Sequence, residues 1–92
     1  MEEAKKTYQV SVSDDILKGT YSNQAMIVHT RGEFVMDFMT VYPPKGIIGA
    51  RVIISPGHAK RLLRALQQNI AQYEKQYGEI GEEPPPSVET IN

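Results

Sequence analysis

The sequence contains no cysteine, which removes disulfides and thiolate metal sites from consideration. That absence suits a reducing compartment, so a cytoplasmic location is expected. Long apolar runs are missing as well. The longest extend a few residues, against the roughly 20 needed to span a bilayer, so no membrane association is expected. Met1 to Thr7 is charged and lacks the apolar stretch of a signal peptide. Acids are absent between Phe38 and Tyr73, where five bases stand: Lys45, Arg51, Lys60, Arg61 and Arg64. Bases are absent in turn from Glu79 to Asn92, which carries four acids. The net charge of −1 therefore combines +3 over residues 1–78 with an acidic end. A positive surface is implied, modest in size for a nucleic-acid binder.

The patterns of catalysis are missing too. There is no phosphate-cradling glycine loop, no nucleophile elbow, no carboxylate pair of glycosidase type and no metalloprotease helix. His29 near a strand end and His58 in a first helical turn have no carboxylate beside them in a ligand spacing. Neither an enzyme activity nor a metal or cofactor is expected.

What is present reads as one domain. Ninety-two residues, 40% apolar and 23% charged, have ordinary globular composition and room for only a small core. Residues 1–6 are expected to be a flexible arm, 7–80 the domain, and 81–92, with Pro84-Pro85-Pro86, an acidic, extended or disordered tail. Thr7–Ser13 alternates strictly, with Tyr8, Val10 and Val12 on one face, and predicts a strand. Asp14-Asp15 and Lys18-Gly19 signal turns, and Ile16-Leu17 between them suits either a short strand or a tucked loop. Strands follow at Gln24–Thr30 and Glu33–Val41, joined by a tight turn at Arg31-Gly32. Pro43-Pro44-Lys45-Gly46 ends the third strand, and a fourth spans Gly49–Ile54. Tyr21-Ser22-Asn23 is expected to hydrogen-bond local backbone.

A helix then runs to Tyr77, with Ser55 as N-cap and Pro56 in the first helical position. Ala59, Leu63, Leu66, Ile70, Tyr73 and Tyr77 recur at alternating four and three residues, and Leu62 widens the stripe. Gly78 is expected to close the helix in a left-handed conformation, with Ile80 folding back on the last turn. The predicted fold is α+β: a four-stranded antiparallel meander followed by one long amphipathic C-terminal helix.

One helix covers one sheet face, and the other should then be polar. The middle strands do not comply. Phe34, Met36 and Phe38 oppose Val35, Met39 and Val41, Ala25 and Ile27 oppose Met26 and Val28, and Val52 and Ile54 oppose Ile53. Each large apolar side chain left wet forgoes about 1.5–3 kcal/mol. The amino-terminal arm and the proline loop could cover the second face, but self-association into a dimer or tetramer is the simpler solution. The candidate contact residues are Met26, Val28, Phe34, Met36, Phe38, Met39, Leu62 and Leu66. Asp37, flanked by Met36 and Phe38, needs a buried partner, and Arg51 on the neighbouring strand is the natural one.

Three pieces recur together: Tyr21-Ser22-Asn23, the strand from Glu33 to Phe38, and Ser55-Pro56-Gly57-His58-Ala59-Lys60-Arg61-Leu62-Leu63 with Asn69-Ile70 and Tyr73-Glu74. With the closing Tyr77-Gly78-Glu79-Ile80 they resemble the prokaryotic domain-of-unknown-function family 3467 over residues 8–80, a resemblance that implies no activity. The order of four antiparallel strands and a long helix is also similar to the subunit of the SecB export chaperone, whose oligomers hold unfolded chains. This chain is shorter and lacks that subunit's additional helices.

The function expected on these grounds is a non-enzymatic homo-oligomer that engages a protein or peptide client, chaperone-like or as an adaptor. The alternative is a nucleic-acid-associated protein with Arg51, Lys60, Arg61 and Arg64 on phosphates.

Overall fold

A computed structural model describes residues 6–85 and 87–89. Most of the expected arm, Met1 to Lys5, lies outside the described residues, as do Pro86 and residues 90–92 of the tail. The chain is α+β, with an antiparallel sheet followed by a long C-terminal helix. The sheet has three strands rather than the four expected: β1 (Gln24–His29), β2 (Phe34–Tyr42) and β3 (Lys45–Ile54), in the order β1-β2-β3.

The missing strand is Thr7–Ser13. Its residues are exposed and form no ladder among the described residues, and Val10 is 91% accessible. Alternation specifies which side chains share a face. A strand also needs a neighbour to exchange N–H and C=O hydrogen bonds with, and Thr7–Ser13 pairs with none among the described residues. At Asp14–Leu17 the chain instead makes one helical turn, α1, where a turn and then a short strand or loop were the expectations. Ser13 caps it, its Oγ accepting from the Ile16 N–H at 3.4 Å and its carbonyl from the Leu17 N–H at 2.9 Å.

β1 and β2 form a hairpin about Arg31-Gly32, in which the Thr30 N–H donates to the Glu33 carbonyl at 2.9 Å. The second hairpin is tighter than expected. Pro43 and Pro44, joined by a cis bond, form the turn by themselves, and β3 begins at Lys45, four residues before the anticipated start. Phe38 pairs with Ala50 but Met39 with Ile48, so Gly49 is the extra residue of a bulge. A Cβ on Gly49 would stand 3.1 Å from Thr20 Cγ2, a tight approach that the Thr20 side chain would have to yield to.

α2 spans Pro56–Tyr77, the predicted limits. Ser55 Oγ accepts from the His58 N–H at 3.1 Å, and Pro56 begins the helix without a donor to satisfy. Gly78 ends it with φ 97° and ψ 169°, a positive φ outside the left-handed helical well, and its N–H donates to the Glu74 carbonyl at 2.9 Å. The Ile80 N–H donates to Glu74 Oε2, also at 2.9 Å.

The register separates the sheet into two faces. One carries Ala25, Ile27, Phe34, Met36, Phe38, Ala50, Val52 and Ile54. The other carries Met26, Val28, Val35, Asp37, Met39, Ile48, Arg51 and Ile53. The core is confined to the central strand β2 and the end of β3. Among the described residues Met36, Met39 and Ile54 are the buried hydrophobic ones, and none is sealed completely.

The segment before β1 is tied to β2 by side chains. Asn23 donates from Nδ2 to the Val41 carbonyl at 3.1 Å and accepts at Oδ1 from the Val41 N–H at 2.8 Å. Its amide thereby extends the β1 ladder by one step. Ser22 shares its single proton between the carbonyls of Gln24 and Met39, and Thr40 Oγ1 donates to the Tyr21 carbonyl at 3.0 Å. These bonds were expected to be local, yet most of them span 17 to 19 residues. Asn23→Ala is expected to lower unfolding free energy by about 1 kcal/mol, since the freed Val41 groups are exposed to water. Urea denaturation at fixed protein concentration measures it.

Candidate functional site

The feature that dominates this molecule is apolar surface that the described residues leave uncovered. α2 extends over roughly 33 Å at 1.5 Å per residue. None of its residues is buried, and only Ala59 and Glu74 are half-buried. Leu62, Leu63, Leu66, Ile70, Tyr73 and Tyr77 are between 39% and 67% accessible, although their spacing is that of a core-facing stripe. The helix meets the sheet only near its start, where Phe34, Pro56, Ala59 and Leu63 line a shallow apolar groove edged by Lys60.

The sheet shows the same condition. Ile27 and Val28 on β1 and Ile47, Ile48, Val52 and Ile53 on β3 are exposed, so both flanks and both faces are only partly covered. On the face of Met39, the tail residues Ser87, Val88 and Glu89 border a groove with Met26, Val41 and Ile48.

The candidate contact residues divide accordingly. Val28, Leu62 and Leu66 lie exposed, and Met26, Phe34 and Phe38 are half-buried. Met36 and Met39 are core within the single chain and offer no surface. Leu63, Ile70 and Tyr73 belong to the helix stripe as fully as Leu62 and Leu66, and their spacing was the signal for including them. The exposure of Ile47 had no such signal, because Lys45–Ile48 reads as a turn.

Asp37 and Arg51 face each other in the β2–β3 register. Arg51 donates from Nε to Oδ1 at 2.6 Å and from Nη2 to Oδ2 at 2.8 Å, a bidentate fork. The Asp37 side chain is 11% accessible and that of Arg51 61%, so the acid is inside and the base reaches out to water. Hydrogen bonding by Arg51 holds the Asp37 carboxyl below its ordinary 3.8, against the opposing effect of burial and with further help from the Arg51 charge. The same bonds raise Arg51 above its usual range.

A carboxyl lowered in the folded state contributes its full stabilisation above the ordinary carboxylate value and loses it as pH falls through the folded value. Acidification below about pH 4 is therefore expected to destabilise the native chain more steeply than Asp37→Asn, in which this titration is absent. Urea midpoints measured from pH 6 to pH 2 test that difference.

The basic cluster is smaller than the sequence suggested. Arg51 is engaged by Asp37 on the sheet, leaving Lys60, Arg61 and Arg64 on α2. At 100° per residue these three occupy a sector of the helix apart from the leucine stripe. His29 stacks on Phe34, with ring centroids 5.4 Å apart, and His58 is tied to the Ser55 cap through its backbone. Among the described residues no group of three or more His, Cys, Asp or Glu is placed to hold a metal, and no helix is long and apolar enough to cross a membrane.

Sheet, helix and outward-facing leucines together define a small α+β protein with more large apolar residues exposed than buried among the described residues. The chain belongs to the family described as protein of unknown function (DUF3467), which matches it over residues 1–82. No curated protein and no solved structure matches it. The four-strand order behind the likeness to the export chaperone is not present among the described residues, whose sheet has three strands.

Proposed function

We propose that this chain is a non-enzymatic, self-associating binding protein of the cytoplasm. Copies of the chain cover the α2 stripe and the exposed sheet surface. The assembly engages an extended protein or peptide client, as a holding chaperone or adaptor does. The observation that carries this reading is the area left open. A compact monomer of 10.3 kDa exposes about 5,400 Å², whereas this chain exposes 9126 Å². The Cα radius of gyration is 16.8 Å, against about 12 Å for a compact chain of this length. The excess, roughly 3,700 Å² per chain, includes the exposed segments 6–13 and 81–85 and still leaves room for the roughly 1,000–2,500 Å² per partner that obligate interfaces bury.

Client binding is tested by titrating a permanently unfolded, cysteine-blocked polypeptide into the protein in a calorimeter at several temperatures and salt concentrations. The expected result is binding with a negative heat-capacity change that persists in high salt, because apolar burial drives it. Absence of binding to the polypeptide, with binding to a single-stranded oligonucleotide that weakens steeply with salt, would overturn this reading in favour of Lys60, Arg61 and Arg64 on phosphates.

A further inference from the structure

Resting on that self-association, we propose that Thr7–Ser13 of one chain adds as a strand to the outer edge of β3 in a second copy. Four observations converge on this pairing. First, the segment has strand chemistry and no strand partner. Tyr8, Val10 and Val12 alternate with Gln9 and Ser11, and all are exposed. Before Ser13 the segment makes no backbone hydrogen bond among the described residues.

Second, β3 is an edge strand of ten residues, and no strand among the described residues occupies its outer side. Every other N–H and C=O along that side points away from β2, an open template for another extended chain. An edge this long and apolar, with Ile47, Ile48, Val52 and Ile53 exposed, is one that proteins ordinarily cover. Seven arm residues fit within its ten.

Third, the route of the chain leads to this edge. Read back from β1, Asn23 is bonded to Val41 and Tyr21 to Thr40, both on β2. Thr20 then lies against Gly49 on β3. The connection thus crosses the sheet from the β1 side to the β3 side and delivers everything upstream of Thr20 there. Fourth, the described chain leaves its own β3 edge open even so, with α1 and Gly19 (φ 77°) set between Thr20 and the arm. A second copy presents the same edge without that intervening turn, and the exchange is reciprocal in a two-fold dimer. Ladder bonds supply the affinity, and the alternation of Tyr8, Val10 and Val12 supplies the register.

The test is hydrogen exchange by mass spectrometry on the full native chain, at concentrations above and below its association midpoint, with light scattering read in parallel. The expected result is that peptides covering 7–13 and 45–54 become protected together, and only where the mass is that of the oligomer. Val10→Pro, which removes one donor from the arm, is expected to weaken association by about tenfold. An oligomer whose arm exchanges at the rate of a free peptide would overturn the pairing while leaving self-association intact. Protection of the arm in the monomer would overturn it as well, since the strand would then close within one chain. A chain monomeric at every concentration would overturn both.

Discussion

Replacing Leu63 and Leu66 together by glutamate is expected to leave the chain folded and to dissociate it. Both side chains are more than half exposed in the single chain, and of the two only Leu63 borders the groove with Phe34, so the substitutions remove limited intramolecular packing. Glutamate is also a good helix former, and α2 keeps its Ser55 cap and its Gly78 end. In the proposed assembly the same positions belong to the covered stripe. Burying the exposed half of two leucines contributes roughly 1.5–3 kcal/mol per chain. Losing that, and burying or repelling new charges, should weaken association at least a hundredfold. Light scattering and circular dichroism on one sample separate the two consequences. Helix content should be largely retained while the mass falls to that of one chain. Glutamate at Gln67 and Gln68, on the polar side of the same helix, should change neither.

The second large effect concerns the core. Ile54 is 7% exposed and stands where β3 passes into α2, opposite Phe34. Ile54→Ala is expected to cost about 2–5 kcal/mol, the usual range for a buried large-to-small change. In most domains that is survivable. Here Met36, Met39 and Ile54 are the buried hydrophobic residues described, so the loss approaches the whole stability of a small domain, about 5 kcal/mol. The cooperative urea transition should shift to very low denaturant or disappear. Leu17→Ala, at a 69% exposed position, should change stability by no more than about 0.5 kcal/mol. Equal effects of the two substitutions would show that the core lies elsewhere.

These expectations show where sequence patterns were informative. α2 was legible to the residue because Ser55-Pro56 and Gly78 act locally: a cap, a missing donor and a positive φ need no distant partner. The pairing of Asp37 with Arg51 was legible because an acid between Met36 and Phe38 in a strand requires a cation on the neighbouring strand. Thr7–Ser13 failed as a strand within the chain because alternation describes one segment, whereas a ladder is a property of two. The start of β3 was placed late because Pro43-Pro44-Lys45-Gly46 reads as a four-residue terminator, although the two prolines alone complete the turn. Asn23 was read as a local turn residue, and its actual bonds reach Val41, a distance in sequence that no short motif encodes.

The apolar surface had the same limit. The four-three spacing of Leu63, Leu66, Ile70, Tyr73 and Tyr77 identifies a face to be buried and is silent about what buries it. A core-facing helix and an intermolecular seam share that pattern. The position of α2, which meets the sheet near Phe34 and leaves its leucines outward, shows that the described residues do not bury the face.

The central claim, that this chain completes its fold by associating with itself, is tested most directly by its molar mass. The measurement is size-exclusion chromatography with light scattering over a concentration series, at low and high salt. The account predicts a dimer or tetramer that persists in high salt, because the surface to be covered is apolar and screening does not weaken it. A mass of 10.3 kDa at every concentration, with the unfolding cooperativity of a compact domain, would contradict it.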